Sequence, residues 1–295
     1  MTLPRRSPIR LPSFVVVLIL VATTSALGQA DQAPGRSYLA LGDSITFGFI
    51  TQAGFEYRNP ANFIGFPDYV AEALRLKTVN AACPGETTGS FLSSTAPDNG
   101  CRSNFHTGGP LRPPLPLHVS YTSTQLEFAI SYLKSHPGTR LVTIELGADD
   151  VFLLQATCQN EPGCIASGLP SVIASVSVNL HEIIRELRAT DFRGIIVVVN
   201  YYSLNYEDPI ATAPVSALNE AIATASAESR TVVADVFTAF RTTTNGGSPC
   251  IAGLLNASPQ FQFDCDVHPS QSGHALIART VEQAFEKAVG EGAHE

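Results

Sequence analysis

The stretch of sequence that decides the fold is Ser37-Tyr38-Leu39-Ala40-Leu41-Gly42-Asp43-Ser44-Ile45. Residues 37–41 are mostly apolar and predict the first strand of a parallel sheet. Gly42, Asp43 and Ser44 follow at the carboxyl end of that strand. Because ligands of open α/β sheets bind at the carboxyl ends of the strands, Ser44 is a candidate nucleophile.

The remainder of the chain alternates between apolar runs and amphipathic stretches. This alternation is typical of an α/β fold in which helices cover both faces of a parallel sheet. The runs predict five strands, at residues 37–41, 77–81, 140–146, 194–200 and 231–236. The amphipathic stretches predict helices near residues 67–76, 123–135, 170–189, 213–228 and 270–289.

Composition and charge exclude several classes of protein. The 295 residues are 44% hydrophobic and 15% charged, which argues against a disordered chain. The 18 basic and 26 acidic side chains give a formal charge of −8, and no block of basic residues is present. We therefore do not expect nucleic acid as a partner.

The amino terminus has the pattern of an export signal. Three arginines precede the apolar run 14–22, which is too short to cross a bilayer, and the small residues Gly28 and Ala30 follow it. We expect a signal peptide at 1–30, with an uncleaved anchor as the alternative, and a single domain at 31–295. Since no other segment reads as long and apolar enough to span, the processed protein should have no transmembrane anchor and be secreted or periplasmic.

The six cysteines all lie in the expected mature chain, where an oxidising compartment favours disulfides. Six cysteines permit about 15 connectivities, but their clustering suggests three local pairs. The predicted pairs are Cys83–Cys101, Cys158–Cys164 and Cys250–Cys265. Zinc is the rival interpretation; because no C-x-x-C pair occurs, we expect no metal site.

The segment from Phe91 to His118 is rich in proline and glycine, which breaks long helices and central strands. It is interpreted as an insertion loop, at about 91–118, that the pair Cys83–Cys101 closes. Long loops without regular structure often have a function, so a role in covering an acyl chain is one hypothesis. A surface loop without function is the other.

A possible base and acid for Ser44 lie near the carboxyl terminus, in Asp264-Cys265-Asp266-Val267-His268. Histidine can accept the serine proton, and a neighbouring carboxylate can orient the ring and stabilise the imidazolium. Asp266 is the preferred acid because it is closer to His268 along the chain than Asp264 and lies inside the turn before His268. Asp264 remains the alternative.

Four parts of the sequence resemble the blocks of the SGNH, or GDSL-type, hydrolase superfamily, which includes bacterial secreted esterases and lipases. They are Gly42-Asp43-Ser44-Ile45, Gly85, Gly147-Ala148-Asp149-Asp150, and His268 with an upstream aspartate. The resemblance implies a three-layer α/β/α sandwich of flavodoxin-like topology. It also implies Ser44 as nucleophile, His268 as base, and an oxyanion hole formed by the backbone N–H groups of Ser44 and Gly85 with an asparagine side chain.

The chain departs from the family pattern at two positions. Cys265 stands where the family usually has its aspartate, three residues before the histidine. Asp149 stands where the family has the oxyanion asparagine, and an ionised carboxylate donates no hydrogen bond. Three interpretations of Asp149 remain open: a protonated carboxyl that donates, a side chain turned away from the site, or a weak or inactive relative.

The sequence thus predicts a serine hydrolase that cleaves carboxylic esters through an acyl-enzyme, without metal or organic cofactor. The expected substrate is a small-molecule or lipid ester, and the expected state is a monomer. A polysaccharide O-deacetylase of the same fold is one alternative. A catalytically silent binding protein is the other, because of Asp149. Tyr201 and Tyr202, after the fourth strand, either line the substrate site or pack in the core.

Overall fold

The main sheet consists of five parallel strands. The computed structural model describes residues 36–108, 114–227, 230–258 and 265–291. The strands are β1 (Ser37–Gly42), β2 (Lys77–Asn80), β3 (Thr139–Glu145), β4 (Ile195–Val199) and β5 (Thr231–Ala234), in the order β2-β1-β3-β4-β5. The α/β class and the five-stranded parallel sheet are confirmed, and each predicted strand agrees to within two residues at either end.

Helices lie between the strands and cover the sheet. They are α1 (Ser44–Phe47), α2 (Phe66–Leu74), α3 (Thr88–Leu92), α4 (Gln125–Ser135), α5 (Ala148–Thr157), α6 (Pro162–Arg188), α7 (Pro209–Ala225), α8 (Val236–Thr243) and α9 (Gln271–Glu291). On one face, α2 packs against α9, and α9 lies along β4 and β5; α6 packs against α4, α5 and α7. Right-handed crossovers between parallel strands account for this division into two helical layers.

The core sits on both faces of the central strands. All five residues of β4 are buried, and residues 38–42 of β1 are buried as well. Strands covered on both sides carry continuous apolar runs, which is why their positions could be predicted. The one buried hydroxyl in β1, that of Tyr38, is satisfied by a hydrogen bond of 2.7 Å with Thr143 of β3.

The six cysteines form three disulfides, Cys83–Cys101, Cys158–Cys164 and Cys250–Cys265. These are the pairs that the clustering predicts. The disulfides and the apolar stretch near the amino terminus are compatible with a secreted protein. The expected signal peptide, at 1–30, lies outside the described residues.

The segment 91–118 packs against the body of the protein over the part that the structure describes. Its side chains Phe105 and Leu117 join a small second core with Phe47 and Phe63. Residues 109–113 of this segment lie outside the described residues. Burial of apolar side chains fixes the segment to the region that follows β1.

One described helix, α6, is long and apolar enough to span a membrane by length and composition alone. This corrects the expectation that no segment after the amino terminus meets those criteria. The reason is that the helix begins eight residues earlier than predicted and is therefore longer. A helix of a globular fold can satisfy the same criteria, and α6 packs against α5 and α7 with Val176 and Leu180 fully buried.

Candidate active site

Ser44 is positioned by the sharp turn that ends β1. Gly42 has a φ of 154°, and a Cβ there would lie 2.5 Å from the carbonyl oxygen of Glu145. The side chain of Gln125 accepts from the N–H of Gly42 at 2.7 Å and donates to its carbonyl at 3.0 Å. Asp43 then caps α1 by accepting from the N–H of Ile45 at 2.9 Å. The turn presents Ser44 at the carboxyl edge of the sheet.

His268 and Asp266 reach Ser44 from a separate hairpin. The hairpin pairs β6 (Leu255–Ala257) with β7 (Cys265–Pro269) in antiparallel orientation. Nε2 of His268 lies 3.0 Å from Oγ of Ser44, and Nδ1 lies 2.9 Å from Oδ1 of Asp266. Serine, imidazole and carboxylate therefore form a continuous hydrogen-bonded chain. The alternative acid, Asp264, lies outside the described residues.

The surroundings of Asp266 keep its carboxylate charged. Burial raises the pKa of Asp266, but the hydrogen bond and charge of His268, together with Thr51, outweigh burial and bring the pKa to about 2. The hydroxyl of Thr51 lies 3.1 Å from Nδ1 of His268, and the ring of Phe49 lies 5.1 Å from the imidazole ring. Sequence reasoning missed Thr51 and Phe49, because nothing local links them to a histidine more than 200 residues away.

Two consecutive tyrosines at the end of β4 support the two arms of the site. Tyr201 donates to Oδ2 of Asp43 at 2.9 Å, next to Ser44. Tyr202 donates to the carbonyl of Val267 at 2.5 Å, next to the histidine. Both side chains are buried and also line the cleft beside Ser44. Both sequence interpretations of these tyrosines, packing and lining the site, therefore apply.

Of the expected oxyanion residues, Asp149 lines the cleft that holds Ser44, and Asn99 is an unforeseen neighbour of both Gly85 and Asp149. Among the described residues, the N–H groups of Ser44 and Gly85 donate to no backbone carbonyl. Gly85 has a φ of 87°, and a Cβ on it would lie 2.5 Å from the carbonyl oxygen of Asn99. Asp149 is 5% exposed and lines the same cleft as Ser44. Its Oδ1 accepts from Nδ2 of Asn99 at 2.7 Å.

Several buried carboxyls lie beneath the site. Asp43 and Glu145 are each about 1% exposed, and burial followed by their mutual repulsion raises the pKa of Asp43 well above its ordinary value. Burial likewise raises the pKa of Glu145, and it raises the pKa of Glu86 to about 7. Burial also raises the pKa of Asp149 well above the usual range, with Asp43 adding to the effect. Burial therefore opposes the ionisation of each of these carboxyls.

An apolar cleft of about 250 Å³ opens beside Ser44. Its walls come mainly from α5 and α7 and from the chain that precedes α7. The apolar lining includes Val151, Phe152, Leu204, Ile210, Val215 and Leu218. The described part of the segment 91–118 contributes no lining residue, so the hypothesis that it covers an acyl chain gains no support there.

A group of possible metal ligands lies outside the cleft. Cys83, Cys101 and His106 place one sulfur or nitrogen atom each within 4.8 Å of one another. The two sulfurs are joined in a disulfide, and zinc binds thiolates rather than disulfides. These residues therefore do not fit a zinc ion.

A three-layer α/β protein with serine, histidine and aspartate at the carboxyl edge of a parallel sheet has the architecture of an SGNH, or GDSL-type, hydrolase. The chain belongs to the GDSL-like lipase/acylhydrolase family, whose model matches residues 40–276. It is an ester hydrolase by this membership. No curated protein matches the sequence.

Several solved structures share the fold. A phospholipase A1 from Streptomyces albidoflavus NA297 has 19% identity and a TM-score of 0.54, over 85% of this chain and 99% of that chain. An acetylxylan esterase from Geobacillus stearothermophilus has 18% identity and a TM-score of 0.53, over 85% and 94%. The lipase Lip_vut3 from a goat rumen metagenome has 17% identity and a TM-score of 0.51, over 84% and 96%. At these identities the likeness shows the fold alone.

Proposed function

We propose that the protein cleaves carboxylic esters by nucleophilic catalysis, with Ser44 as nucleophile, His268 as general base and Asp266 as the acid that orients the base. The observation that carries the proposal is the hydrogen-bonded chain in which Ser44 lies 3.0 Å from His268 and His268 lies 2.9 Å from Asp266. These distances are within the range in which a nucleophile and its base exchange a proton.

Acylation begins when Nε2 of His268 takes the proton of Ser44 while Oγ attacks the ester carbonyl. The carbonyl oxygen becomes an oxyanion, and the backbone N–H groups of Ser44 and Gly85 are its proposed donors. The tetrahedral intermediate collapses as the imidazolium returns its proton to the departing alcohol oxygen. Asp266, whose pKa is about 2, remains ionised and stabilises the imidazolium throughout.

Deacylation repeats the same steps with water as the nucleophile. His268 removes a proton from the water, the hydroxide adds to the acyl carbonyl, and the second tetrahedral intermediate expels Oγ of Ser44. The imidazolium returns the proton to Oγ, so the free enzyme and a carboxylic acid result. Neither half of the cycle requires a metal or an organic cofactor.

The lining of the cleft supports an acyl chain longer than acetyl as the preferred substrate. The walls beside Ser44 are largely apolar, and Ile210 at the cleft is 84% exposed. Burial of a methylene group is worth about 0.8 kcal/mol, which favours an alkyl chain in this position. A small-molecule or lipid ester is the proposed substrate, and a polysaccharide acetyl ester is the alternative that a substrate panel tests.

The proposal also includes the export of the protein and its oligomeric state. The arginine-rich amino terminus with its apolar run, and the three disulfides, support export by a signal peptide that is then removed. We take the mature enzyme to act as a monomer, without a membrane anchor.

The central experiment is labelling with a fluorophosphonate probe, together with hydrolysis of activated esters. The proposal expects Ser44 to be labelled, and it expects Ser44→Ala to abolish labelling and to lower kcat by about 10⁴-fold or more. Ser131→Ala is the matched control, because Ser131 lies on the exposed side of α4. An unlabelled wild-type protein without esterase activity would favour a binding protein. Hydrolysis restricted to acetylated glycans would favour the deacetylase.

A further inference from the structure

The contacts of Asp149 differ between its two oxygens. Oδ1 accepts the hydrogen bond from Nδ2 of Asn99, at 2.7 Å. Among the described residues, Oδ2 has no hydrogen-bond partner, and the side chain lines the cleft that holds Ser44. The Asn99 amide donates a hydrogen to Oδ1, so Oδ1 acts as an acceptor and is the carbonyl oxygen of a protonated carboxyl. A proton on this carboxyl therefore resides on Oδ2, the oxygen that Asn99 leaves free.

Asn99 is itself held against the expected oxyanion hole. Its backbone N–H donates to the carbonyl of Gly85 at 2.8 Å, and its own carbonyl oxygen lies only 2.5 Å from the position that a Cβ on Gly85 would take. The disulfide Cys83–Cys101 encloses both residues. One residue thus contacts Gly85 through its backbone and Asp149 through its side chain, which are two of the three expected oxyanion positions.

The charges around Asp149 favour a neutral carboxyl. Among the described residues, four carboxyls from different parts of the chain oppose its ionisation: Asp43 before α1, Glu86 before α3, Glu145 at the end of β3, and Asp150 on α5. Burial is the largest cause of its raised pKa, repulsion from Asp43 adds to it, and the hydrogen bond from Asn99 opposes it. An ionised Asp149 would be a buried anion among other acids.

We propose that Asp149 serves in its un-ionised form as the side-chain donor of the oxyanion hole, through the O–H on Oδ2, and that Asn99 is the positioning residue that occupies Oδ1. The inference rests on the proposed serine mechanism. The proton is not transferred: it stays on Oδ2 and hydrogen-bonds to the oxyanion as each tetrahedral intermediate forms. The carboxylic acid thereby supplies the donor that an asparagine supplies elsewhere in the family.

The first test compares Asp149→Asn with Asp149→Ala at neutral pH on an activated ester. Since an amide N–H replaces the O–H, Asp149→Asn should keep kcat within about threefold of the wild type. Asp149→Ala should lower kcat roughly 100- to 1,000-fold with little change in KM, the usual effect of removing one oxyanion donor. Asp191→Asn, at an exposed surface position, is the charge control.

Two other results would overturn the proposal. In one, Asp149→Asn is far more active than the wild type, and Asp149→Ala is at least as active as the wild type. The native carboxyl would then be ionised and would donate no hydrogen bond. If Asp149→Asn is as defective as Asp149→Ala, the reaction needs the carboxylate as a base or an acceptor. Fluorophosphonate labelling of Ser44 in each variant separates these results from a failure of the serine mechanism itself, in which no variant would be labelled.

Infrared spectroscopy reads the protonation state directly. The spectrum of the wild type minus that of Asp149→Asn should contain the carbonyl stretch of an un-ionised carboxylic acid at neutral pH. In Asn99→Ala, this band should move to higher wavenumber, because Oδ1 loses its donor. Carboxylate bands in place of the carbonyl band would refute the proposal.

The role of Asn99 is tested by a double-mutant cycle. Because Asn99 is exposed, Asn99→Ala should leave the unfolding temperature almost unchanged while lowering kcat roughly 3- to 10-fold at constant KM, as expected for one hydrogen bond. In the Asp149→Ala background, the same substitution should cause no further loss. An equal loss in both backgrounds would mean that Asn99 does not act through Asp149.

Discussion

The buried carboxyl of Glu86 should make the stability of the protein decrease with pH. Glu86 is 3% exposed, next to Gly85, with Ser90 and Gln125 as hydrogen-bond partners. Burial raises its pKa from 4.5 to about 7, and the bonds from Ser90 and Gln125 only partly oppose this. Between these two values the folded protein keeps a proton that the unfolded chain releases. The contribution of Glu86 to stability is therefore complete below pH 4.5 and is lost as pH rises through about 7.

The size of the effect follows from the same two values. A tenfold change in proton affinity is worth about 1.4 kcal/mol, so a rise in pKa from 4.5 to about 7 corresponds to about 3 kcal/mol of unfolding free energy. Glu86→Gln mimics the neutral carboxyl and cannot ionise. We expect the decrease in unfolding free energy, from acidic to mildly alkaline pH, to be about 3 kcal/mol smaller in Glu86→Gln than in the wild type.

Urea denaturation of both proteins, followed by circular dichroism at several pH values, measures this difference. The other buried carboxyls, such as Asp43 and Glu145, contribute to both proteins and cancel in the comparison. Glu72→Gln, on the exposed side of α2, should keep the wild-type dependence on pH. Equal decreases in the wild type and Glu86→Gln would refute the reasoning, since Glu86 would then ionise as easily in the folded protein as in the unfolded chain.

Three further predictions concern the site. Asp266→Asn should lower kcat about 10⁴-fold in an ester hydrolysis assay, because the imidazole loses its orienting acceptor and its counter-charge; a loss below tenfold would point to Asp264. In a series of esters with increasing acyl length, kcat/KM should rise roughly fourfold per methylene until the chain outgrows the cleft, since each buried methylene is worth about 0.8 kcal/mol; a flat series would show that the cleft does not bind the acyl chain. Replacing Cys250 and Cys265 together by serine should lower the unfolding free energy by about 3 kcal/mol, given the 15-residue separation, and should reduce kcat as β7 loosens; full stability by urea denaturation would contradict this.

The strands could be predicted because each is buried on both faces and reads as a short apolar run between polar turns. The first residues of the helices were harder to predict from the sequence. Pro170 and Pro214 resemble helix starts, yet both lie inside helices that begin at Pro162 and Pro209. Each true start also has a proline in the first turn and an acidic cap before it, so the sequence offered two candidate starts for each helix.

The grouping of Ser44, His268 and Asp266 could be predicted because the chemistry of a serine hydrolase is strict and the positions follow the family blocks; in the structure, each of these side chains lies within hydrogen-bonding distance of the next. The residues that support these three side chains could not be predicted. Thr51, Asn99 and Glu145 carry no local signal, and each reaches the site only through the folding of distant segments. The pairing of Asn99 with Asp149 joins residues 50 positions apart, and no periodicity or motif relates a loop to the start of a helix.

The adjacent tyrosines that follow β4 connect the two arms of the candidate site. Tyr201 and Tyr202 follow β4, which ends at Val199, and their hydroxyls donate to the turn that carries Ser44 and to the strand that carries His268. Because the two tyrosines are consecutive, one short stretch of chain is hydrogen-bonded to both arms of the site. A substitution that shifts this stretch should therefore disturb the Ser44 turn and the His268 strand together.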